Sequence, residues 1–388
     1  MAKRAITIVA DVPSPHQNVF FDALARAGEL DVEVIFCRRT MPGRAWSGEG
    51  PKQCKHLFLT ELSIGDLPLD PGLLPRLLAQ RTGRVVLLIG YYLPAMLGAG
   101  AMLTLLRRPW IFWTDTLPAP DGRSDVRAKV RDAARGLFLH RSTLCLTTGE
   151  AGRQALIAHG VSEERACVSP FVVDQEWIAS EVDRLRPRRA ELRAQAGVAA
   201  EARVLLFVGQ LIKRKGVDVL VEALAQAGQR AGALSLVIVG EGVEQGALRS
   251  QINQLGLQTR VRMLPYRDNA ALPELWALAD GFVLPARFDA WPVVIVEALS
   301  AGLPVVGTEA CGSVRDLVRE GVNGFRCAAD DVAQLSGALE RFAKLSPGAL
   351  AAMTKPAREA VVSLSPSAVA REFAQTIEKA VRLHGRRA

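Results

Sequence analysis

Leu284-Pro285-Ala286-Arg287-Phe288-Asp289-Ala290-Trp291-Pro292-Val293-Val294-Ile295-Val296-Glu297, continuing to Ala301-Gly302-Leu303-Pro304-Val305-Val306, decides the fold. An apolar strand ends at Leu284, and a loop carries Asp289. Pro292 suits the first helical position, where a missing N–H costs nothing. The Val293 and Val294 amides then point out of a helix N-terminus, which suits a diphosphate. Glu297 lies one to two turns into that helix, so the two carboxylates face one cleft at different depths. Such a pair can hold sugar hydroxyls through charge-assisted hydrogen bonds. Pro304-Val305-Val306 then opens the next strand.

The same alternation runs outward in both directions. After this segment's own strands and helix, the half that contains it reads as strands at Val204–Val208, Ser235–Val239 and Arg260–Leu264, with helices at Val217–Ala227, Glu244–Leu255 and Ala271–Ala279. The other half reads as strands at Ala5–Ala10, Val32–Phe36, Val85–Ile89, Trp110–Trp113, Leu144–Thr147 and Ala166–Val168. Helices at Val19–Ala27 and Glu150–His159 lie among them. Short, wholly apolar strands separated by helices predict parallel sheets covered on both faces. Two sheets in one chain place a ligand cleft at the carboxyl ends of their strands. The boundaries read as 1–174 for a first domain and 175–362 for a second. The remainder, 363–388, is an amphipathic helix with Ser365 as N-cap and Pro366 in its first turn, expected to pack back on the first domain. Ser169–Asp174 reads as a connector, and Arg184–Arg193 as a polar, arginine-rich segment around Pro187.

Two further stretches carry chemistry. Gly209-Gln210-Leu211-Ile212-Lys213-Arg214-Lys215-Gly216 follows a strand and precedes a helix. Basic side chains at such a turn can neutralise a diphosphate and stabilise a departing nucleoside diphosphate; without the flanking glycines they would read as a solvated charge run. Gly240-Glu241-Gly242 also follows a strand, but it is not a full dinucleotide fingerprint.

These motifs resemble the family-4 glycosyltransferases of the GT-B fold. Their signature is an acidic residue, seven residues and a glutamate before an Ala-Gly-Leu-Pro-Val-like turn. Here it is Asp289, Glu297 and Ala301–Val305, with Asp289 standing where the family usually has glutamate. The resemblance covers most of the chain, with the densest agreement from Val204 to Asp331. It implies an α/β chain of two Rossmann-like domains whose parallel sheets face a central cleft. It also implies an enzyme that moves a sugar from a nucleoside-diphosphate-sugar to an acceptor hydroxyl, retains anomeric configuration and uses no metal or other cofactor.

Residue by residue, it carries sugar contact to Asp289, ribose contact to Glu297 and phosphate contact to Lys215. Arg214 stands in for the arginine replaced by Gln210. Gly209, Gly240, Val293 and Val294 line the nucleotide, and Tyr266 stacks on the base or fills a loop. The glycines of Gly312-Ser313-Val314 and of Gly321–Gly324 are expected in turns. On the acceptor side His16 and Asp115 are candidates, and Tyr91 and Tyr92 either line the site or pack; Thr114 replaces a family histidine. Bacterial polysaccharide, lipopolysaccharide or glycolipid assembly is the implied setting, with a saccharide or lipid-linked acceptor. The three substitutions at positions 114, 210 and 289 keep open a rival, a non-catalytic nucleotide-sugar-binding or scaffold protein. An epimerase or phosphorylase on the same fold is a further rival.

Composition narrows the field. The chain has 388 residues, 49% hydrophobic and 23% charged, which is too long for one ordinary core and leaves no room for extensive disorder. Its six cysteines form no C-x-x-C pair, and its five histidines form no ligand cluster, so no structural metal is expected and a reducing compartment is implied. The opening residues read as a strand, not a signal peptide. Val85–Leu106 is free of charge, yet its glycines and Pro94 divide it into strand, turn and buried helix. The net charge is +8, and Arg123–Arg141 alone holds six basic and two acidic residues. That segment reads as a solvated helix, with Val126, Val130, Ala133, Ala134, Leu137 and Phe138 near one face and Arg127, Lys129, Arg131 and Arg135 elsewhere. The sharper alternative is a patch for anionic lipid or a phosphorylated acceptor. No aromatic residues alternate with its charges, which argues against nucleic acid. The expected location is cytoplasmic, peripheral at the inner face of the membrane.

Overall fold

A computed structural model describes residues 3–41, 48–59, 63–64, 67–68, 70–80, 83–90, 93–115, 126–232 and 234–386. The chain divides into two compact units, Met1–Val172 with Leu364–Ala388, and Val173–Ser363.

The first unit holds a seven-stranded sheet in which every pairing is parallel. Its order is Lys55–Phe58, Leu30–Phe36, Arg4–Ala10, Val85–Ile89, Trp110–Trp113, Leu144–Thr147, Ala166–Val168. The order reverses between Arg4–Ala10 and Val85–Ile89, the place where open α/β sheets bind ligands. One face is covered by helix Pro15–Ala27 and the C-terminal helix Pro366–Gly385. Phe20 of the first meets Phe373 of the second edge to face at 5.1 Å. Burying a side chain of that size stabilises by roughly 1.5–3 kcal/mol. Ser365 occupies the N-cap position without a side-chain cap bond. The other face is covered by helices Pro94–Leu105 and Val126–Arg141. No helix among the described residues is long and apolar enough to cross a membrane.

The second unit repeats the theme with six parallel strands, ordered Val261–Leu264, Leu234–Val239, Arg203–Val208, Gly281–Leu284, Val305–Thr308, Gly324–Cys327. Here the reversal lies between Arg203–Val208 and Gly281–Leu284.

The structure adds to the sequence reading at two places, Lys55–Phe58 and Arg184–Arg193, and corrects it at three. Lys55–Phe58 is a strand, paired with Leu30–Phe36; its exposed Lys55 and His56 mark a sheet edge and hide the apolar pattern. Gly321 does take a turn backbone (φ 71°), but Gly312 opens a helix and Gly324 a strand. The Arg184–Arg193 segment is helical, with Pro187 placed in a 3₁₀ joint, Arg186–Arg188, between helices Gln175–Leu185 and Arg189–Gln195. Pro292 is the N-cap of helix Val293–Ser300, one position earlier than expected. Arg135, counted with the charged face of its helix, is buried at 7% exposure.

Candidate active site

Strand Arg203–Val208 delivers the chain to Gly209, and a 3₁₀ turn at Lys213–Lys215 leads through Gly216 into helix Val217–Ala227. Gly216 has φ 67°, and a Cβ there would collide with the Pro285 carbonyl. Only glycine lets this basic turn lie against the Asp289 loop. Gly240, with φ 144°, likewise lies so close that a Cβ would collide with the Gly209 carbonyl. Two strand-end turns thus pack backbone to backbone.

The close approach brings the sequence candidates together. Lys215 Nζ donates to Asp289 Oδ2 at 2.5 Å, with both side chains largely buried. Arg214 Nη1 lies 3.2 Å from the same oxygen and donates to the Phe288 carbonyl at 2.9 Å. The Asp289 amide in turn donates to the Ala310 carbonyl at 3.2 Å, which fixes the loop from its other side. Two cations thus converge on one carboxylate at the switch point of the sheet.

Beyond that loop, nothing among the described residues accepts from the Val293 and Val294 amides; the first capped amide is Ile295, bonded to the Pro292 carbonyl at 3.2 Å. The helix therefore presents two free donors and its positive end. Ser313 Oγ fixes that end by donating to the Pro292 carbonyl at 2.9 Å. Glu297 is half-buried. Burial alone pushes its carboxyl up to about 7. Tyr266 follows strand Val261–Leu264 and is 45% exposed, which leaves its ring available.

A second layer escaped the sequence reading. Arg287 binds Asp218 through both terminal nitrogens, at 2.7 and 2.9 Å. It also donates to the Lys213 carbonyl at 2.6 Å, and its Nε lies 2.6 Å from Asp330. Lys213 Nζ reaches Asp218 at 2.6 Å. Burial raises the Asp218 carboxyl, but the Arg287 and Lys213 hydrogen bonds outweigh it and hold the group down to about 2. Arg287 thereby ties the Asp289 loop to the basic turn. The signal was its place two residues before Asp289; its partner Asp218 lies 69 positions away.

In the first unit His16 and Asp115 line one pocket of about 270 Å³ at the switch point, with Asp11, Trp113, Thr114 and Phe171. The His16 ring meets Phe171 edge to face at 4.5 Å and is 3.2 Å from Ser14 Oγ. Phe171 in turn lies 5.8 Å from Trp113. Arg38 Nε and Nη2 clamp Asp11 at 2.7 and 2.5 Å. Asp115 is exposed. Tyr91, Tyr92 and Arg123 lie outside the described residues, as do the side chains of Arg127, Lys129 and Arg131. No group of three or more metal-binding side chains occurs among the described residues.

Residues 188–360, all within the second unit, match the family model of glycosyl transferases group 1. Alpha-D-kanosaminyltransferase of Streptomyces kanamyceticus is 30% identical over 155 residues, 40% of this chain and 40% of that protein. D-inositol 3-phosphate glycosyltransferase of Geodermatophilus obscurus is 34% identical over 220 residues, 53% of this chain and 47% of that protein. The chain thus spans less than half the length of these curated relatives. Among solved structures, Anabaena HepE in complex with UDP aligns with a TM-score of 0.75 at 21% identity, over 97% of this chain and 99% of HepE. WaaG, a glycosyltransferase involved in lipopolysaccharide biosynthesis, aligns with a TM-score of 0.71 at 19% identity, over 96% of this chain and 99% of its own. The fold is GT-B, with two Rossmann-like domains.

Proposed function

We propose that the chain is a group 1 glycosyltransferase of family 4 that moves a sugar, with retention, from a nucleoside-diphosphate-sugar to an acceptor hydroxyl. The observation that carries this is the convergence of Lys215 and Arg214 on Asp289, beside the free Val293 and Val294 amides. In the proposed complex the diphosphate lies on those amides and takes over Lys215 and Arg214 from Asp289. Asp289 is then released to the sugar hydroxyls, and Glu297 accepts from the ribose. Gly209 and Gly240 let the backbone approach the nucleotide, and Tyr266 stacks on the base.

The bond from the anomeric carbon to the β-phosphate oxygen breaks, and a bond to the acceptor oxygen forms on the same face. The acceptor proton passes to the departing phosphate, and a nucleoside diphosphate leaves. Lys215 and Arg214 stabilise the charge that develops on it. The aromatic pocket of the first unit, with His16 and Asp115, holds the acceptor. Polysaccharide, lipopolysaccharide or glycolipid assembly at the inner face of a membrane is the proposed setting. Contact with anionic lipid through the basic helix excludes Arg135, which is buried. No metal is assigned a role.

The test is a panel of nucleotide sugars read by thermal shift and then by turnover. UDP-glucose heads it, because HepE has been crystallised with that compound. One nucleotide sugar should stabilise the protein and be turned over, and Lys215→Ala and Glu297→Ala should abolish the turnover. Stabilisation without turnover on any acceptor would instead favour a nucleotide-sugar-binding protein.

A further inference from the structure

We infer that the second unit carries a binding site for a phosphomonoester at the end of its sheet opposite Lys215. A cavity of about 500 Å³ opens where strands Arg203–Val208, Gly281–Leu284 and Val305–Thr308 begin, and Arg186, Arg189, Arg193 and Arg203 line it. A six-residue strand separates it from the phosphate turn by roughly 20 Å.

The carboxylates lining the cavity are Asp280 and Glu201, the second of them exposed. Asp280 is already shared. Its Oδ1 accepts from Arg189 at 2.7 Å, and its Oδ2 accepts from Arg193 at 2.8 Å and from the Val204 amide at 2.6 Å. Among the described residues, neither Arg186 nor Arg203 has a carboxylate within salt-bridge reach. Arg186 donates to the Ala301 carbonyl at 3.3 Å, and Arg203 to the Leu345 carbonyl at 2.7 Å. Asp183, which acts electrostatically on Arg186, is held by both terminal nitrogens of Arg358 at 3.0 and 2.6 Å. Among the described residues, four guanidiniums therefore line a cavity with two carboxylates, and one of these, Asp280, is largely covered and already shared by two arginines.

Part of this cluster has a structural explanation. Arg189 and Arg193 donate to the Leu278 and Ala279 carbonyls, the free end of helix Leu272–Leu278. Arg186 and Arg203 likewise donate at the carboxyl ends of helices Val293–Ser300 and Val332–Ala343, and Asp183 and Asp280 act on Arg186 from a distance, but among the described residues neither arginine is bonded to a carboxylate. Burial, and then the neighbouring Arg189, make both Arg186 and Arg193 easier to deprotonate than a free arginine. An anion bound beside them offsets the repulsion from Arg189 and favours their charged forms. Planar guanidinium forks suit phosphate oxygens. The volume far exceeds the roughly 30 Å³ of a water molecule, and Pro304, Leu350 and Ala351 add apolar wall. These features fit a phosphate carried on a compact organic body.

Calorimetric titration of the full chain with glycerol 3-phosphate tests the site. Lys215→Ala, which disables the opposite end, should bind like the parent. Arg186→Gln and Arg203→Gln should each weaken binding about tenfold, the worth of one charge-assisted hydrogen bond. Thr354→Glu places a carboxylate in the cavity from helix Pro347–Glu359 and should do the same without removing an arginine; it decides the matter if an arginine variant fails to fold. Binding lost in Lys215→Ala but kept in the other three would move the phosphate to the donor end and overturn the site. So would no binding by the parent, or binding only to vesicles containing phosphatidic acid.

Discussion

Both units place candidate side chains where their strand order reverses, yet they do so with different chemistry. In the second unit the switch point is crowded with charge: Lys215 and Arg214 on Asp289, and Arg287 and Lys213 on Asp218. In the first it is lined with rings, His16 on Phe171 and Phe171 beside Trp113, together with the Asp11–Arg38 clamp. A diphosphate makes the same demand in every donor, so fixed charges and free amides suffice for it. On the proposed function, the acceptor meets rings, which supply apolar contact area without a fixed motif.

If that division holds, changes in the second unit should act on the donor and changes in the first on the acceptor. The largest effect belongs to Lys215→Ala, which should lower kcat by about 10²–10³, the worth of one preorganised charge stabiliser. Steady-state kinetics check it, and a loss confined to KM for acceptor would break the comparison. Arg287→Ala leaves Asp218 with Lys213 alone and should cost roughly 2 kcal/mol of stability, read by urea unfolding. A smaller loss in an Asp218→Asn background would confirm that the two residues act as a pair.

Glu297 sharpens the donor side through pH. A carboxyl pushed up to about 7 is half ionised at that pH and mostly ionised only above it, so the donor KM should fall as pH rises from 6 to 8, by about tenfold at most for one proton. Glu297→Gln should flatten the profile. The stability sign is opposite. Because the folded pKa is raised above the ordinary 4.5, the contribution of this group is fully present below pH 4.5 and lost as pH rises through about 7. Glu297→Gln should remove that slope from a series of urea melts. The smallest effect is expected in the first unit, where Phe171→Ala should raise the acceptor KM about threefold and leave the donor KM unchanged, the scale of one lost ring contact. An altered donor KM would blur the division of labour.

The same division explains what could be read in the sequence. Strand ends and glycines around Lys215 and Asp289 are local patterns, and the two residues meet across 74 positions because strands Arg203–Val208 and Gly281–Leu284 are neighbours in the sheet. Pairings that depend on packing alone left no such trace. Phe171 reaches His16 from the far end of its unit. Arg135 is buried although its neighbours in sequence suggest a charged surface helix. The strand Lys55–Phe58 lies at the sheet edge and among the described residues pairs only with Leu30–Phe36, so its composition resembles a loop. Arg186 and Arg203 look like ordinary surface charge until the start of the sheet gathers them.

The most direct measurement is the anomeric configuration of the transfer product, followed by proton NMR with the nucleotide sugar that the panel selects and a simple saccharide acceptor. An α-linked donor should yield an α-linked product with release of the nucleoside diphosphate, and Lys215→Ala should form none. A β-linked product would contradict retention, and undiminished transfer by Lys215→Ala would contradict the donor site itself.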